Sequence, residues 1–163
     1  MATVTAPSRR AIDVPIETLP PIDEHAIRID APPQAAWDAL LTTVAGSFGG
    51  RASGAIARAL GCAETESRGN LQHPGGTIPG FVVARVVPPA VLALLGSHRF
   101  SRYALVFRVD ATEDDKSQVR AETRAEFPGA KGRAYRALVI GTRGHVLVVR
   151  SMLRAIRRRA ERA

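Results

Sequence analysis

The C-terminal third of the sequence joins an alternating β-strand pattern directly to a long amphipathic segment. Residues Gln118–Phe127 place Arg and Glu on one face and, on the other, Val119, Ala121, Thr123, Ala125 and Phe127. After Pro128-Gly129, apolar residues recur at helical spacing from Tyr135 to Ile156, with arginines on the opposite side. The pattern predicts one long helix from Lys131 to about Arg162, whose apolar face covers a sheet.

The first half of the chain predicts one strand followed by two helices. His25–Asp30 alternates like a strand, and Pro32-Pro33 opens a helix, since proline in a first turn loses no needed hydrogen bond. The apolar face of this helix is Trp37, Leu40, Leu41 and Val44. We expect Ser53 to cap a second short helix, which points Ile56 and Leu60 inward and ends at Gly61.

The middle of the chain predicts β-structure. Phe81–Val87 and Val91–Leu95 are apolar runs separated by Pro88-Pro89, and Arg99–Asp110 alternates over its whole length. With the strand at Gln118–Phe127 and the helices, these segments predict an α+β fold.

Composition fits one globular domain, since the chain has 163 residues of which 45% are hydrophobic. Residues 1–23, rich in Pro and Thr, predict a flexible leader, and residues 24–163 predict the domain. A single cysteine, Cys62, and no recognisable secretory leader predict a reducing, cytoplasmic setting. No apolar run is long enough to span a bilayer.

The basic charge belongs to the C-terminal segment. The net charge is +8, and residues 131–163 hold ten basic side chains and one acidic side chain. Aromatic residues for base stacking are not interleaved with these cations, so no nucleic-acid partner is predicted. A solvated arginine face is the leading interpretation, and transient contact with an anionic membrane surface is the second.

The segment His25–Leu40 resembles the opening of START-like domains (Bet v 1-like, polyketide cyclase/dehydrase, SRPBCC). Ala31-Pro32 and Trp37-x-x-Leu40 carry the resemblance, with Ala36 where this superfamily commonly has Val. The resemblance covers roughly residues 24–160 and rests mainly on element order. It implies a helix-grip fold, in which a curved antiparallel sheet wraps the long C-terminal helix around a cavity. It also implies an apolar ligand such as a lipid, sterol or polyketide, and it supplies no catalytic residue.

Six polar residues are candidates for the cavity. Period-two alternation places Tyr103, Ser101 and Arg99 on the face of Leu105 and Phe107, where hydroxyls and a guanidinium would orient a polar ligand head. A solvated strand end is the competing interpretation, favoured for Arg99 and evenly balanced for Tyr103. His98 and His145 are candidates for proton transfer, although a lone histidine is more often structural. Thr142 lies beside Gly141, where small residues would leave room for a ligand or for close packing.

Three functions remain open at this stage. The first is binding of a hydrophobic or amphipathic small molecule. The second is a cavity enzyme of cyclase, dehydratase or hydrolase type, with His98 or His145 moving the proton and Tyr103 or Arg99 stabilising an oxyanion. The third is an interaction protein that uses the arginine face. No metal site and no cofactor are predicted, because the His and Cys residues lack ligand spacing.

Overall fold

Six antiparallel strands form one curved, open sheet in the computed structural model, which describes residues 16–163 except the side chain of Val139. The strands are β1 (Pro21–Ile29), β2 (Thr77–Ile78), β3 (Phe81–Val87), β4 (Val91–His98), β5 (Ser101–Ala111) and β6 (Ser117–Glu126). Their order across the sheet is β1-β6-β5-β4-β3-β2. From β2 to β6, each strand therefore pairs with the next one in sequence, and β6 also pairs with β1.

Four helices complete the domain. They are α1 (Pro33–Phe48), α2 (Arg51–Leu60), α3 (Gly129–Gly141) and α4 (Gly144–Ala160). Helix α4 packs against α1 and β1, so the main core lies between these helices and one face of the sheet. Its buried side chains include Trp37, Leu40, Val44, Leu92, Leu94, Phe107, Met152, Leu153 and Ile156.

The polar face of β6, on which the alternation placed Arg and Glu, forms ion pairs. Arg108 of β5 contacts Glu122 at 3.0 Å, and Arg102 contacts its register partner Glu126 at 2.8 Å. Arg124 contacts Glu122 along the same strand at 2.7 Å. These charges lie on the face opposite the core, because neighbouring residues of a strand point to opposite sides.

The predicted long C-terminal helix is confirmed as α4, but the prediction that it begins at Lys131 and runs unbroken is wrong. Helix α3 ends at Gly141 and α4 begins at Gly144, with Arg143 between them in the left-handed conformation at φ 54° and ψ 20°. Helix α4 alone packs into the core, whereas Gly132 is the only buried residue among the described residues of α3. The chain therefore forms two helices, of which α4 packs into the core and α3 contributes Tyr135 and Ile140 to a cavity wall.

The predicted domain boundary at residue 23 is too late. Residues Ile16–Thr18 form a 3₁₀ turn, and β1 begins at Pro21. Leu19 is 2% exposed and packs in a second apolar cluster with Val82 and Leu95. Residues 16–23 thus belong to the folded domain, whereas residues 1–15 of the predicted leader lie outside the described residues.

Two local expectations also need correction. Helix α2 begins at Arg51 with Gly50 as its N-cap, so Ser53 lies inside the helix, and Ile56 is 61% exposed. Strand β4 runs to His98 and β5 starts at Ser101, which leaves Arg99 and Phe100 in the hairpin turn. The end of α2 at Gly61, in a left-handed conformation, is confirmed.

Candidate functional site

A cavity of about 490 Å³ lies among the sheet, α2, α3 and the first turns of α4. Most of its wall is apolar, formed by side chains that include Phe48, Leu60, Phe81, Leu105, Phe127, Ile140, Val148 and Met152. Its polar side chains are Ser47, Ser53, Cys62, His98, Ser101, Tyr103, Thr123, Tyr135 and His145. An apolar wall with a few separated polar groups is typical of a small-molecule site.

The structure brings four of the six predicted site residues to this cavity: His98, Ser101, Tyr103 and His145. Arg99 and Thr142 are not among the lining residues. Arg99 is exposed in the β4–β5 turn, where its side chain lies against Gly61, because strand alternation does not continue through a turn. Thr142 is exposed at the break between α3 and α4.

Tyr103 is held in place at one end of the cavity. Its hydroxyl donates a hydrogen bond of 2.9 Å to the carbonyl of Gly80 and lies 3.8 Å from Sγ of Cys62. Its ring lies over Gly96, its register partner in β4, where any Cβ would overlap the ring. Burial raises the pKa of Tyr103 far above its ordinary range, so the hydroxyl stays protonated.

His98 stands beside Tyr103 in an aromatic group. Its Nδ1 accepts a hydrogen bond of 3.1 Å from the backbone N–H of Phe100, and its ring meets that of Tyr135 edge to face at 4.8 Å. Burial lowers the pKa of His98, which favours the neutral imidazole. Because Nδ1 is an acceptor, the proton of the neutral ring is on Nε2, and His98 can act as a hydrogen-bond donor to a ligand.

Asp23 and His145 form a hydrogen-bonded pair at a second polar position. Nε2 of His145 lies 2.7 Å from Oδ2 of Asp23, and both side chains are about four-fifths buried, at 16% and 21% exposure. His25 approaches the same carboxylate oxygen at 3.5 Å. A carboxylate only accepts, so Nε2 of His145 carries a proton, and in the neutral form of an imidazole the lone pair is then on Nδ1.

Thr123 adds a hydroxyl to this group. It is the register partner of Asp23 on the neighbouring strand and, like His145, lines the cavity. Oγ1 of Thr123 and Nδ1 of His145 are both buried, and neither has a hydrogen-bond partner within residues 16–163. We call Asp23, His25, Thr123 and His145 the polar cluster.

Sequence reasoning missed three members of the polar cluster. Asp23 fell in the predicted leader, His25 stood at the edge of a strand, and Thr123 was counted on the apolar face of β6. Extending the alternation of His25–Asp30 backwards by two residues would have put Asp23 on the face of His25 and Ile27. The prolines at Pro20-Pro21 favoured a leader over a strand, so the alternation was not extended to Asp23.

The arginines of the C-terminal segment are exposed, as predicted for a solvated face: Arg133, Arg136, Arg143, Arg150, Arg154, Arg157, Arg158, Arg159 and Arg162. Contact of this face with an anionic membrane stays a prediction. Within residues 16–163, no helix is both long and apolar enough to cross a membrane. The same residues contain no group of three His, Cys, Asp or Glu side chains that could hold a metal ion.

A curved antiparallel sheet that holds a C-terminal helix, with a cavity beside the helix, defines an α+β helix-grip fold, the fold that the sequence resemblance implied. Solved structures of other proteins have a similar fold. The Zhui aromatase/cyclase from Streptomyces sp. R1128 is 16% identical, with a TM-score of 0.56 over 86% of this chain and 93% of that chain. Protein CV1439 from Chromobacterium violaceum is 10% identical, with a TM-score of 0.53 over 85% and 96%.

A third solved structure, from Rhizobium leguminosarum, is 16% identical, with a TM-score of 0.51 over 86% of this chain and 95% of that chain. No family model matches the sequence, and no curated protein matches it. The similarity is therefore one of fold.

Proposed function

We propose that the protein binds an amphipathic small molecule, lipid-, sterol- or polyketide-like, in the cavity between the sheet and the C-terminal helices. The observation that carries the proposal is the cavity itself, with a volume of about 490 Å³ and a mainly apolar wall. Sites for small molecules commonly have volumes of about 300–1,000 Å³ and a few fixed polar groups. The similarity in fold to a protein described as an aromatase/cyclase supports a small-molecule ligand.

The polar groups at the cavity wall indicate that the ligand has both apolar and polar parts. Tyr103 and His98 form one polar position, and the polar cluster forms another. A purely apolar ligand would cover the Nε2 proton of His98 without giving it an acceptor, which costs free energy when water is excluded. A ligand that combines a hydrophobic body with polar groups would fill the apolar part of the cavity and also hydrogen-bond to its polar side chains.

A cavity-filling substitution tests the proposal. Ala57 of α2 is 4% exposed and lines the cavity, whereas Ala55 of the same helix is exposed. The neutral fluorescent probe N-phenyl-1-naphthylamine should bind the wild type saturably with one-to-one stoichiometry. Ala57→Leu should weaken this binding because the added methyl groups occupy the cavity. Ala55→Leu is the matched control and should leave the binding unchanged.

Native mass spectrometry of the freshly purified protein provides a second measurement. A bound molecule in stoichiometric amount would identify the class of ligand. Absence of probe binding to the wild type, or equal binding to Ala57→Leu and Ala55→Leu, would contradict the proposed site. Circular dichroism of both variants separates a loss of binding from a loss of fold.

The Asp23–His145 pair favours a second candidate, a cavity enzyme that uses general acid–base chemistry. In this candidate Asp23 orients the imidazole and Nδ1 of His145 takes the proton, a role that contributes about 10²–10⁴-fold to a rate. The probe 5-nitrobenzisoxazole reports such a base without a co-reactant. Its carbon-bound proton goes to Nδ1 while its N–O bond breaks, giving a coloured cyanophenolate.

The enzymatic function is supported if the wild type catalyses this reaction, His145→Gln abolishes the catalysis and His73→Gln retains it. His73 is a suitable control because it is exposed and does not line the cavity. A wild-type rate equal to that of His145→Gln would contradict it and leave the binding function intact.

A further inference from the structure

Unpartnered polar atoms gather in one place in this protein. Five buried side-chain N or O atoms lack a hydrogen-bond partner within residues 16–163, and four of them belong to the polar cluster: Oδ1 of Asp23, Nε2 of His25, Oγ1 of Thr123 and Nδ1 of His145. The fifth, in Thr43 of α1, lies away from the cavity wall. Buried polar groups are normally hydrogen-bonded, so four exceptions in one cluster need an explanation.

We propose that the polar cluster recognises a hydroxyl group of the bound molecule, which is an alcohol, phenol or enol. The inference rests on the proposed binding function and adds the chemistry of the ligand's polar end. Thr123 and His145 both line the cavity, and each carries a buried atom without a partner. Asp23 connects them, as the register partner of Thr123 and the hydrogen-bond partner of His145.

The donor and acceptor pattern selects the hydroxyl. Because Asp23 accepts from Nε2 of His145, the neutral ring presents an acceptor at Nδ1, which requires a donor on the ligand. The hydroxyl of Thr123 both donates and accepts. Both atoms lie just beneath the cavity surface, so a ligand hydroxyl reaches them once the two side chains shift toward the cavity. It then donates to Nδ1 and accepts from Thr123, which satisfies both groups with one oxygen.

Other common head groups fit less well. A carboxylate has no proton for Nδ1 and would approach the negative charge of Asp23. A carbonyl or a methyl ether can accept from Thr123 but leaves Nδ1 of His145 without a donor. An ammonium group can donate to Nδ1, yet it carries a charge into a mainly apolar cavity.

A pair of probes that differ only in this group tests the inference. The probes are 2-naphthol and 2-methoxynaphthalene, with dissociation constants measured by fluorescence titration against the wild type. The methyl ether is the more apolar compound and would bind more tightly in a cavity that selects only for hydrophobicity. We expect the opposite order, with 2-naphthol favoured by about tenfold, which corresponds to one net hydrogen bond.

Matched threonine variants locate the effect. Thr123→Val removes the cavity hydroxyl at nearly constant volume and should reduce the preference for 2-naphthol severalfold. Thr43→Val removes a buried, unpartnered threonine hydroxyl that lies away from the cavity and should leave the preference at its wild-type value. Asp23→Asn no longer fixes the proton on Nε2 of His145 and should also reduce the preference.

The outcomes separate this inference from the binding function. If 2-methoxynaphthalene binds as tightly as 2-naphthol, the hydroxyl proposal is wrong and the cavity still binds ligands. If the preference exists but Thr123→Val and Thr43→Val both retain it in full, the assignment to the polar cluster is wrong. If neither probe binds, the binding function fails and this inference fails with it. Thermal unfolding of each variant verifies that it is folded.

Discussion

Asp23 accepts a hydrogen bond from His145 across 122 residues of sequence, with 2.7 Å between Oδ2 and Nε2. The bond joins β1, at one edge of the sheet, to the first turn of α4. It therefore ties the first turn of α4, where His145 lines the cavity, to the edge strand. The same contact sets the tautomer of His145, so one hydrogen bond determines both where the ring lies and which nitrogen can accept a proton.

Gly96 is required by the position of Tyr103, and substitution at this glycine should be costly. A Cβ at residue 96 would overlap both the ring of Tyr103 and the carbonyl of Gly80. We expect Gly96→Ala to lower the free energy of unfolding by about 1–3 kcal/mol, the usual cost of overpacking. Urea denaturation followed by circular dichroism measures the change.

Gly46 provides the control for Gly96. It lies in α1, and a Cβ added there would meet nothing within 4 Å. Gly46→Ala should therefore raise the free energy of unfolding by about 0.5–1 kcal/mol, because alanine loses less entropy in a helix. A loss of stability in both variants, or in neither, would contradict the close contact of Tyr103 with Gly96.

Strand alternation predicted much of the sheet because each strand has one buried face, and that requirement acts on local sequence. The strand predicted at Gln118–Phe127 is observed at Ser117–Glu126, and Phe81–Val87 is observed as predicted. The ion pairs of Glu122 and Glu126 were also predictable, since charged residues on the other face meet across neighbouring strands.

The helix break could not be predicted in the same way. The apolar spacing continues at helical period from Tyr135 through Val149 to Ile156, so the sequence pattern does not mark the joint. Gly141 and Gly144 reduce helix propensity by about 1 kcal/mol each, which is weak against tertiary packing. The break depends on where α4 meets α1 and β1, and only the assembled fold contains that information.

Asp23 of the polar cluster was missed because its proline-rich segment predicted a flexible leader. Pro21 is the first residue of β1, and β1 is an edge strand. Proline is tolerated at such a position because the missing N–H removes no hydrogen bond between central strands. The strand therefore begins before the point that its apolar pattern indicates, and Asp23 enters the folded domain.

His98 should make stability depend on pH. Burial lowers its pKa in the folded state, so the unfolded chain binds the proton more readily. This contribution to the free energy of unfolding is fully present above the ordinary histidine pKa of about 6.5 and is lost as the pH falls through the lower folded-state value. The wild type should therefore lose more stability than His98→Gln between pH 7.5 and pH 5.

Urea denaturation of the two proteins at both pH values measures this difference. Groups other than His98 titrate in both proteins, so their contributions cancel in the comparison. His73→Gln changes an exposed histidine and should behave like the wild type. An identical loss of stability in the wild type and His98→Gln would show that His98 is not held in its neutral form.

Cys62 should be a slow thiol that reports on occupation of the cavity. Burial raises its pKa, and the contact with the hydroxyl of Tyr103 partly opposes that shift. Because the thiolate is the reactive form, the folded protein should react with Ellman's reagent at pH 8 more slowly than the urea-unfolded protein. N-phenyl-1-naphthylamine should slow the reaction further, since Cys62 lines the cavity.

Removal of the tyrosine hydroxyl provides the complementary variant. Tyr103→Phe loses the contact that lowers the pKa of Cys62, so its thiol should react more slowly than that of the wild type at the same pH. A rate that rises in Tyr103→Phe, in a protein that stays folded, would contradict this contact. A rate unaffected by saturating probe would place the probe outside the Cys62 side of the cavity.

Arg143 forms the joint between α3 and α4, and its backbone conformation gives a prediction with a definite sign. A residue other than glycine in the left-handed region, here at φ 54°, costs about 1–2 kcal/mol. Glycine relieves that cost but adds about 0.5–1 kcal/mol of chain entropy in the unfolded state. Arg143→Gly should therefore raise the free energy of unfolding by up to about 1.5 kcal/mol. The same substitution at Arg150, an exposed residue within α4, should lower the free energy of unfolding by about 1 kcal/mol, because glycine is unfavourable in a helix interior.

Arg143→Gly and Arg150→Gly each lose one exposed arginine, so the comparison of their urea denaturation midpoints isolates the backbone effect. A similar loss in both would show that residue 143 is part of a continuous helix, contrary to the joint described above.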